Sequence, residues 1–219
     1  MRDDLRRAVF FDFDGTLIRG DSIVSFLLFA RRRGVLPFWE WAGTALHALL
    51  GKIGAENMDA VKTRALRFEQ KLTPAEREKL CRDFVEERLI PRLFPEGKRT
   101  WDALKKEGRM MVLVSASTRD YMGYVSAALG ADALICTPVS PDGAAGPNCR
   151  GREKERRLLA WLEGLPKDRR PDMAASDAYG DSGGDVFMLR MCGGAHAVNP
   201  RKKLKREAEE KGWEILRWK

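Results

Sequence analysis

The sequence is poor in the residues that hold transition metals and covalent staples. It has two histidines, His47 and His196, and four cysteines, Cys81, Cys136, Cys149 and Cys192. No two cysteines form a CxxC pair, so neither a zinc site nor a disulfide framework is expected. The thiols read as reduced, in a cytoplasmic setting. Long apolar runs are also missing. The nearest approach to a membrane span, Ser22 to Gly51, is interrupted by Arg31, Arg32, Arg33 and Glu40. It falls short of the ~18 consecutive apolar residues a spanning helix needs. The first seven residues are mostly charged and the apolar run after them is only a strand long, so no signal peptide is expected. There is no internal repeat and no low-complexity tract.

What is present suits a globular chain. The 219 residues are 44% hydrophobic and 33% charged, enough to bury a core without staples. Forty Lys and Arg against 32 Asp and Glu leave a net charge of +8. That favours anionic partners: phosphorylated metabolites, anionic lipid headgroups or nucleic acid.

Residues 8–13, AVFFDF, read as a buried strand before Gly15. Residues 22–90 read as helical, in segments 22–33, 35–50, 55–70 and 74–90. Thr73, Pro74 and Glu76 make a helix start: N-cap, proline at N1 and a capping-box glutamate. Pro91 and Pro95 are expected to close this block. Beyond it, strands at 110–115, 132–137, about 173–179 and about 194–198 alternate with helices at 100–107, 118–129 and 153–163, a short helix after Asp185, and a final basic helix after Pro200. Residues 138–150 read as a loop or hairpin. This alternation predicts an α/β fold, a Rossmann-like and mostly parallel sheet flanked by helices. The helical block at 19–95 is expected to be an inserted all-helical cap, leaving 1–18 and 96–219 as the core domain.

Four polar clusters fall at or beside predicted strand ends, where such sheets place ligands. Asp12 and Asp14 stand two apart, so an extended chain points them to one side. Their mutual repulsion calls for a cation or a shared proton, and oxygen ligands suit Mg²⁺; a helix cap or a solvated turn is the alternative. Ser115 ends the second strand before a helix and, with the following N–H groups from Ala116 on, forms either a phosphate cradle or an ordinary cap. Lys154 either neutralises such a site or is simply solvated. Asp181 and Asp185, in GDSGGD, form a second acidic pair that either completes the metal site, with Asp185 orienting ligands from behind, or makes an Asp/Gly turn.

Taken in order, these clusters resemble the haloacid dehalogenase superfamily of phosphohydrolases: DxDGT, a strand ending in Ser, a Lys, then an acidic GDxxxD-type motif. The 103 positions between Asp12 and Ser115 are similar to subfamily IB, which contains phosphoserine phosphatase and carries a helical cap there. Cys149, Gly151 and Lys154, and AVNP at 197–200, fit the same subfamily. The resemblance implies a Mg²⁺-dependent phosphatase. Asp12 would be the nucleophile and Asp14 the general acid and base. Asp12, the Asp14 carbonyl and Asp181 would hold the metal. Ser115, Ala116, Lys154, Gly15 and Thr16 would hold the phosphate.

The substrate is expected to be a small or lipid-linked phosphomonoester. Phosphoserine is an alternative, weakened because Asp21 stands where that enzyme has Glu and Gly184 where it has Asn. The aromatic and arginine-rich stretch after Ser22, with Trp39, Trp41 and Arg31–Arg33, is either the cap's own core or a peripheral contact with an anionic membrane, at its inner face. The basic RKKLKRE (201–207) reads as a solvated amphipathic helix because Glu207, Glu209 and Glu210 follow it; a nucleic-acid partner is not expected. A catalytically silent anion-binding module of the same fold is the remaining alternative.

Overall fold

Six short segments build one sheet: β1 (Ala8–Phe11), β2 (Met110–Thr118), β3 (Ala133–Thr137), β4 (Asp177–Gly180), β5 (Gly194–Val198) and β6 (Glu214–Leu216). Their order in this computed structural model, which describes residues 7–43, 58–140 and 145–219, is β3-β2-β1-β4-β5-β6. Every neighbouring pair is parallel. This is the doubly wound order, which reverses beside β1 and opens a crevice beyond the strand ends between β1 and β4.

A parallel sheet covered on both faces needs strands apolar on both sides. All four residues of β1 are buried. Val9 and Phe11 enter one cluster with Met111, Leu113 and Tyr179. Ala8 and Phe10 enter the opposite one with Val112, Val114 and Ala178. The Phe11 ring stacks on Tyr179, with centroids 4.3 Å apart. The helices covering the sheet are α4 (Pro95–Lys106), α5 (Arg119–Leu129), α6 (Arg152–Gly164), α7 (Val186–Arg190) and α8 (Lys202–Lys211), preceded in the chain by α1 (Ser22–Arg32), α2 (Met58–Ala65) and α3 (Pro74–Phe84).

Every named element from residue 22 to residue 92 is helical. Asp21 caps α1 by accepting the Val24 N–H at 3.0 Å. Thr73 and Glu76 form the reciprocal capping box of α3, with Pro74 in its first turn, and a π-helical turn at Val85–Leu89 follows. These helices pack on the core through rings: Phe26 lies 5.2 Å from Tyr121 of α5, and Phe84 lies 5.4 Å from it. Ile18 pairs with Leu93 in an antiparallel bridge, and the Phe94 N–H donates to the Leu17 carbonyl at 2.8 Å. The chain therefore leaves β1 for the helical block and returns from it side by side.

Several boundaries differ from the sequence-based expectation. α4 begins at Pro95, five residues before the expected start, because the missing proline N–H costs nothing at a helix's first position. β2 runs to Thr118, with a register irregularity between Ser115 and Thr118. Residues 173–175 form a 3-10 turn, so β4 begins at Asp177. The expected 55–70 helix is split into α2 and a 3-10 turn at Arg67–Lys71. The expected 35–50 helix is non-helical at 35–37 and helical at 38–43; residues 44–50, the start of the 55–70 segment and the tip of the 138–150 loop lie outside the described residues. β6 was not expected at all.

Candidate active site

The crevice begins where β1 ends. The Asp12 N–H still donates to the Tyr179 carbonyl of β4 at 3.0 Å, so its backbone remains part of the sheet. Phe13 turns into the core, and Asp12 and Asp14 fall on the cavity side. Gly15 then bends the chain with φ +83°, and a Cβ there would run into the Asp181 carboxylate. Glycine is required twice at this point, by conformation and by space.

Asp12 is buried, and both of its oxygens are engaged. Oδ1 accepts from Lys154 Nζ at 2.7 Å, and Oδ2 accepts from Thr16 Oγ1 at 3.1 Å. Lys154, in the first turn of α6, is 1% exposed and also donates to Asp185 Oδ1 at 2.6 Å. Asp185 Oδ2 accepts from the Ser182 N–H and hydroxyl at 3.0 and 2.9 Å. Asp181 Oδ2 accepts from Arg201 Nε at 2.8 Å.

Asp12, Asp181 and Asp185 each offer a carboxylate oxygen within 4.8 Å of the others'. Burial, then the Asp185 charge, holds the Asp12 carboxyl well above the usual range, against the pull of Lys154. Burial and Asp185 likewise raise Asp181. Burial alone would lower the Lys154 ammonium, but Asp12 and Asp185 outweigh it and push it up. Three crowded, buried acids form an all-oxygen donor set that fits a hard divalent cation.

Asp14 is held differently. Its Oδ1 accepts the Ser22 N–H and its Oδ2 the Ser117 hydroxyl, both at 2.6 Å. Ser22 Oγ in turn lies 2.7 Å from Ser117 Oγ and 2.9 Å from the Tyr121 hydroxyl. Burial first, then Asp21, raises the Asp14 carboxyl to about 6. Its side chain stands apart from the acid cluster, which Asp185 joins.

A cavity of about 230 Å³ gathers Asp12, Asp14, Asp21, Ala116, Lys154, Asp181 and Asp185 on its walls. Ser115, Gly15 and Thr16 are not wall residues. The Ser115 hydroxyl is buried at the irregular end of β2 and accepts the Ser117 N–H at 3.0 Å. Lys62, Ser117, Asn148, Arg150, Ser182 and Arg201 also line the cavity, with Ile23, Val24, Leu27, Val61 and Ala65 on the side of α1 and α2. Sequence reasoning missed these. Arg150 lies between Cys149 and Gly151 of the motif that ends in Lys154, and Arg201 opens the basic run 201–207 that was read as solvated; nothing local marks Lys62.

The family model for haloacid dehalogenase-like hydrolases matches residues 9–190. The chain belongs to this family. Protein CicA of Caulobacter vibrioides is 34% identical over 96% of this chain and 87% of that protein. Phosphoserine phosphatase SerB1 of Mycobacterium tuberculosis is 30% identical over 97% of this chain and 71% of its own length. Among solved structures, a Bordetella pertussis protein of unknown function has TM-score 0.86 at 23% identity, covering 96% of this chain and 98% of that one. A phospho-aspartyl intermediate analogue of phosphoserine phosphatase has TM-score 0.62 at 20% identity, covering 96% and 92%. These two likenesses concern the fold of this hydrolase. No helix among its described residues is long and apolar enough to cross a membrane.

Proposed function

We propose that the chain is a magnesium-dependent phosphomonoester hydrolase that works through an aspartyl-phosphate on Asp12. It is a phosphatase in which residues 19–95 form a cap over a core of 1–18 and 96–219. The observation that carries this reading is the Asp12 carboxylate. It is buried on the cavity wall, fixed by Lys154 and Thr16, and two residues from an acid raised to about 6.

Asp12 attacks phosphorus as the bond to the leaving oxygen breaks, and Asp14 gives that oxygen its proton. Asp14 then takes a proton from the water that opens the aspartyl-phosphate. Its links to Ser22 and Ser117 hold the carboxyl ready for both steps. Lys154 orients Asp12 and faces the transferred oxygens with positive charge; Ala116 and Ser117 line the seat of the phosphoryl group, and Ser115 ties that end of β2 in place. A magnesium ion held by Asp12, Asp181 and the Asp14 carbonyl, with Asp185 beside them, would offset repulsion between Asp12 and the phosphate.

The decisive experiment is p-nitrophenyl phosphate turnover with and without Mg²⁺ and chelator. Asp12→Asn is expected to stay folded by circular dichroism and to lose about a thousandfold or more in kcat. Full turnover by that variant would end the reading. Phosphate binding without turnover in the natural chain would mark a silent anion-binding module.

The substrate is a small or lipid-linked ester, and phosphoserine belongs in the first panel tested. The lipid-linked reading draws support from exposed apolar side chains: Val24 at 56%, Leu28 at 39%, Phe38 at 51% and Trp39 at 77%. Arg31 stacks on Phe38 at 4.9 Å, whereas Arg33 is tied to Glu87 and Asp83. Flotation with anionic vesicles at low salt tests a cytoplasmic enzyme that touches the membrane; failure to bind removes the membrane contact but not the chemistry.

A further inference from the structure

Among the described residues four cations line the cavity, and three of them are already engaged. Lys154 serves Asp12 and Asp185. Arg201 serves Asp181. Lys62 donates to the Ala116 carbonyl, the Thr137 hydroxyl and the Asn148 side chain, the last two at 3.2 and 3.1 Å. Asp21, also on the cavity wall, caps α1. Arg150 differs: among the described residues, no hydrogen bond, ion pair or ring contact is recorded for its guanidinium, although it lies on the cavity wall with Ser182 and Asp185.

Gly184 shows that this placement is built in. Its backbone is not in the left-handed region, so conformation does not demand glycine there. Space does: a Cβ at 184 would stand 2.9 Å from both Cγ and Nε of Arg150. The arginine stem fills the volume that a side chain at 184 would occupy. Gly151, which follows Arg150, donates its N–H to the Gly184 carbonyl at 3.0 Å and keeps the two segments in register.

We propose that the cavity takes phosphomonoesters whose leaving group carries a second anionic group, a carboxylate or a phosphate, and that Arg150 is the specificity-determining residue that reads it. This rests on the phosphatase reading for the reacting phosphate, which Asp12 and Lys154 serve. A guanidinium offers a planar fork of donors that matches either anion bidentately. An ester with a neutral leaving group leaves that fork to solvent.

The test separates binding from chemistry. In the Asp12→Asn background, with Mg²⁺ present, calorimetry compares 3-phosphoglycerate, propane-1,3-diol bisphosphate and glycerol 3-phosphate. The carboxylate or the bisphosphate is expected to bind about ten- to a hundredfold tighter than glycerol 3-phosphate, and the tighter of the two names the anion. Arg150→Met should erase the preference, Arg150→Lys should keep part of it, and Gly184→Ala should weaken it by displacing the arginine stem. In the active chain, Arg150→Met should raise KM for the preferred ester far more than it lowers kcat. Equal binding of all three esters overturns the proposal, as does an equal loss for all three in Arg150→Met, which would place Arg150 on the reacting phosphate. Turnover without preference sinks this inference and leaves the phosphatase; preference without turnover does the reverse. No binding of any ester sinks both.

Discussion

Lys154 is a buried ammonium between two buried carboxylates, and the three groups are stable only together. Removing one partner of such a set leaves charge without compensation and typically costs about 3–5 kcal/mol. Lys154→Met is therefore expected to lower the unfolding free energy measured in urea by that order, and Mg²⁺ should restore part of the loss by taking over the neutralisation of Asp12. Equal stability of variant and natural chain without metal would mean that the buried ammonium adds nothing to the folded state beyond what its own burial costs. The acids of this site were legible because their spacing is local: Asp12, Asp14 and Gly15 are almost adjacent, as are Asp181 and Asp185. The cations that answer them were legible only in part. Lys62 reaches Ala116 in β2 and Thr137 at the end of β3 from a helix more than fifty residues away in sequence, and only packing reveals it among forty basic residues. The partnership of Asp14 with Ser22 and Ser117 is hidden for the same reason.

Elements whose signals lie within one turn were also easiest to place. The start of α3 is one: Thr73 Oγ1 accepts the Glu76 N–H at 3.3 Å while Glu76 Oε2 accepts the Thr73 N–H at 2.8 Å. Thr73→Ala removes the half of the box made by Oγ1, leaves the backbone half in place, and should cost about 1 kcal/mol by urea titration; an unchanged midpoint would mean that packing of Phe84 and Leu80 alone holds the helix. β6 shows the opposite case. Its three residues exist as a strand only through pairing with β5, Ala197 against Ile215 and Val198 against Leu216. No periodicity can be read from so short a run. The basic helix α8 was legible as solvated: Lys205 and Arg206 face Glu209 and Glu210 one turn on, and Leu204 and Ala208 are its buried side.

At the scale of the molecule, the contact between the helical block and the sheet domain carries a buried acid that the catalytic reading does not use. Glu69 is 1% exposed, and neither carboxyl oxygen has a hydrogen-bond partner among the described residues. Burial, then the charge of Asp120 on α5, raises its carboxyl to about 8, against Arg77 on α3. Asp120 is itself raised, chiefly by burial, and the Cys81 thiol nearby is pushed up by burial and by Glu69. At neutral pH, Glu69 therefore carries its proton in the folded chain and loses it in the unfolded one, where it titrates near 4.5. The folded state holds one extra proton between those two values. Stability from this group is complete below about pH 4.5 and falls as pH rises toward 8, by at most about 1.4 kcal/mol per unit. Glu69→Gln keeps the shape and removes the titration. The variant should gain on the natural chain in melting temperature as pH rises from 5 to 8, and the gap should level off above that. Parallel pH profiles for the two proteins would show that Glu69 ionises without cost, and hence that solvent reaches the seam between the helical block and α5.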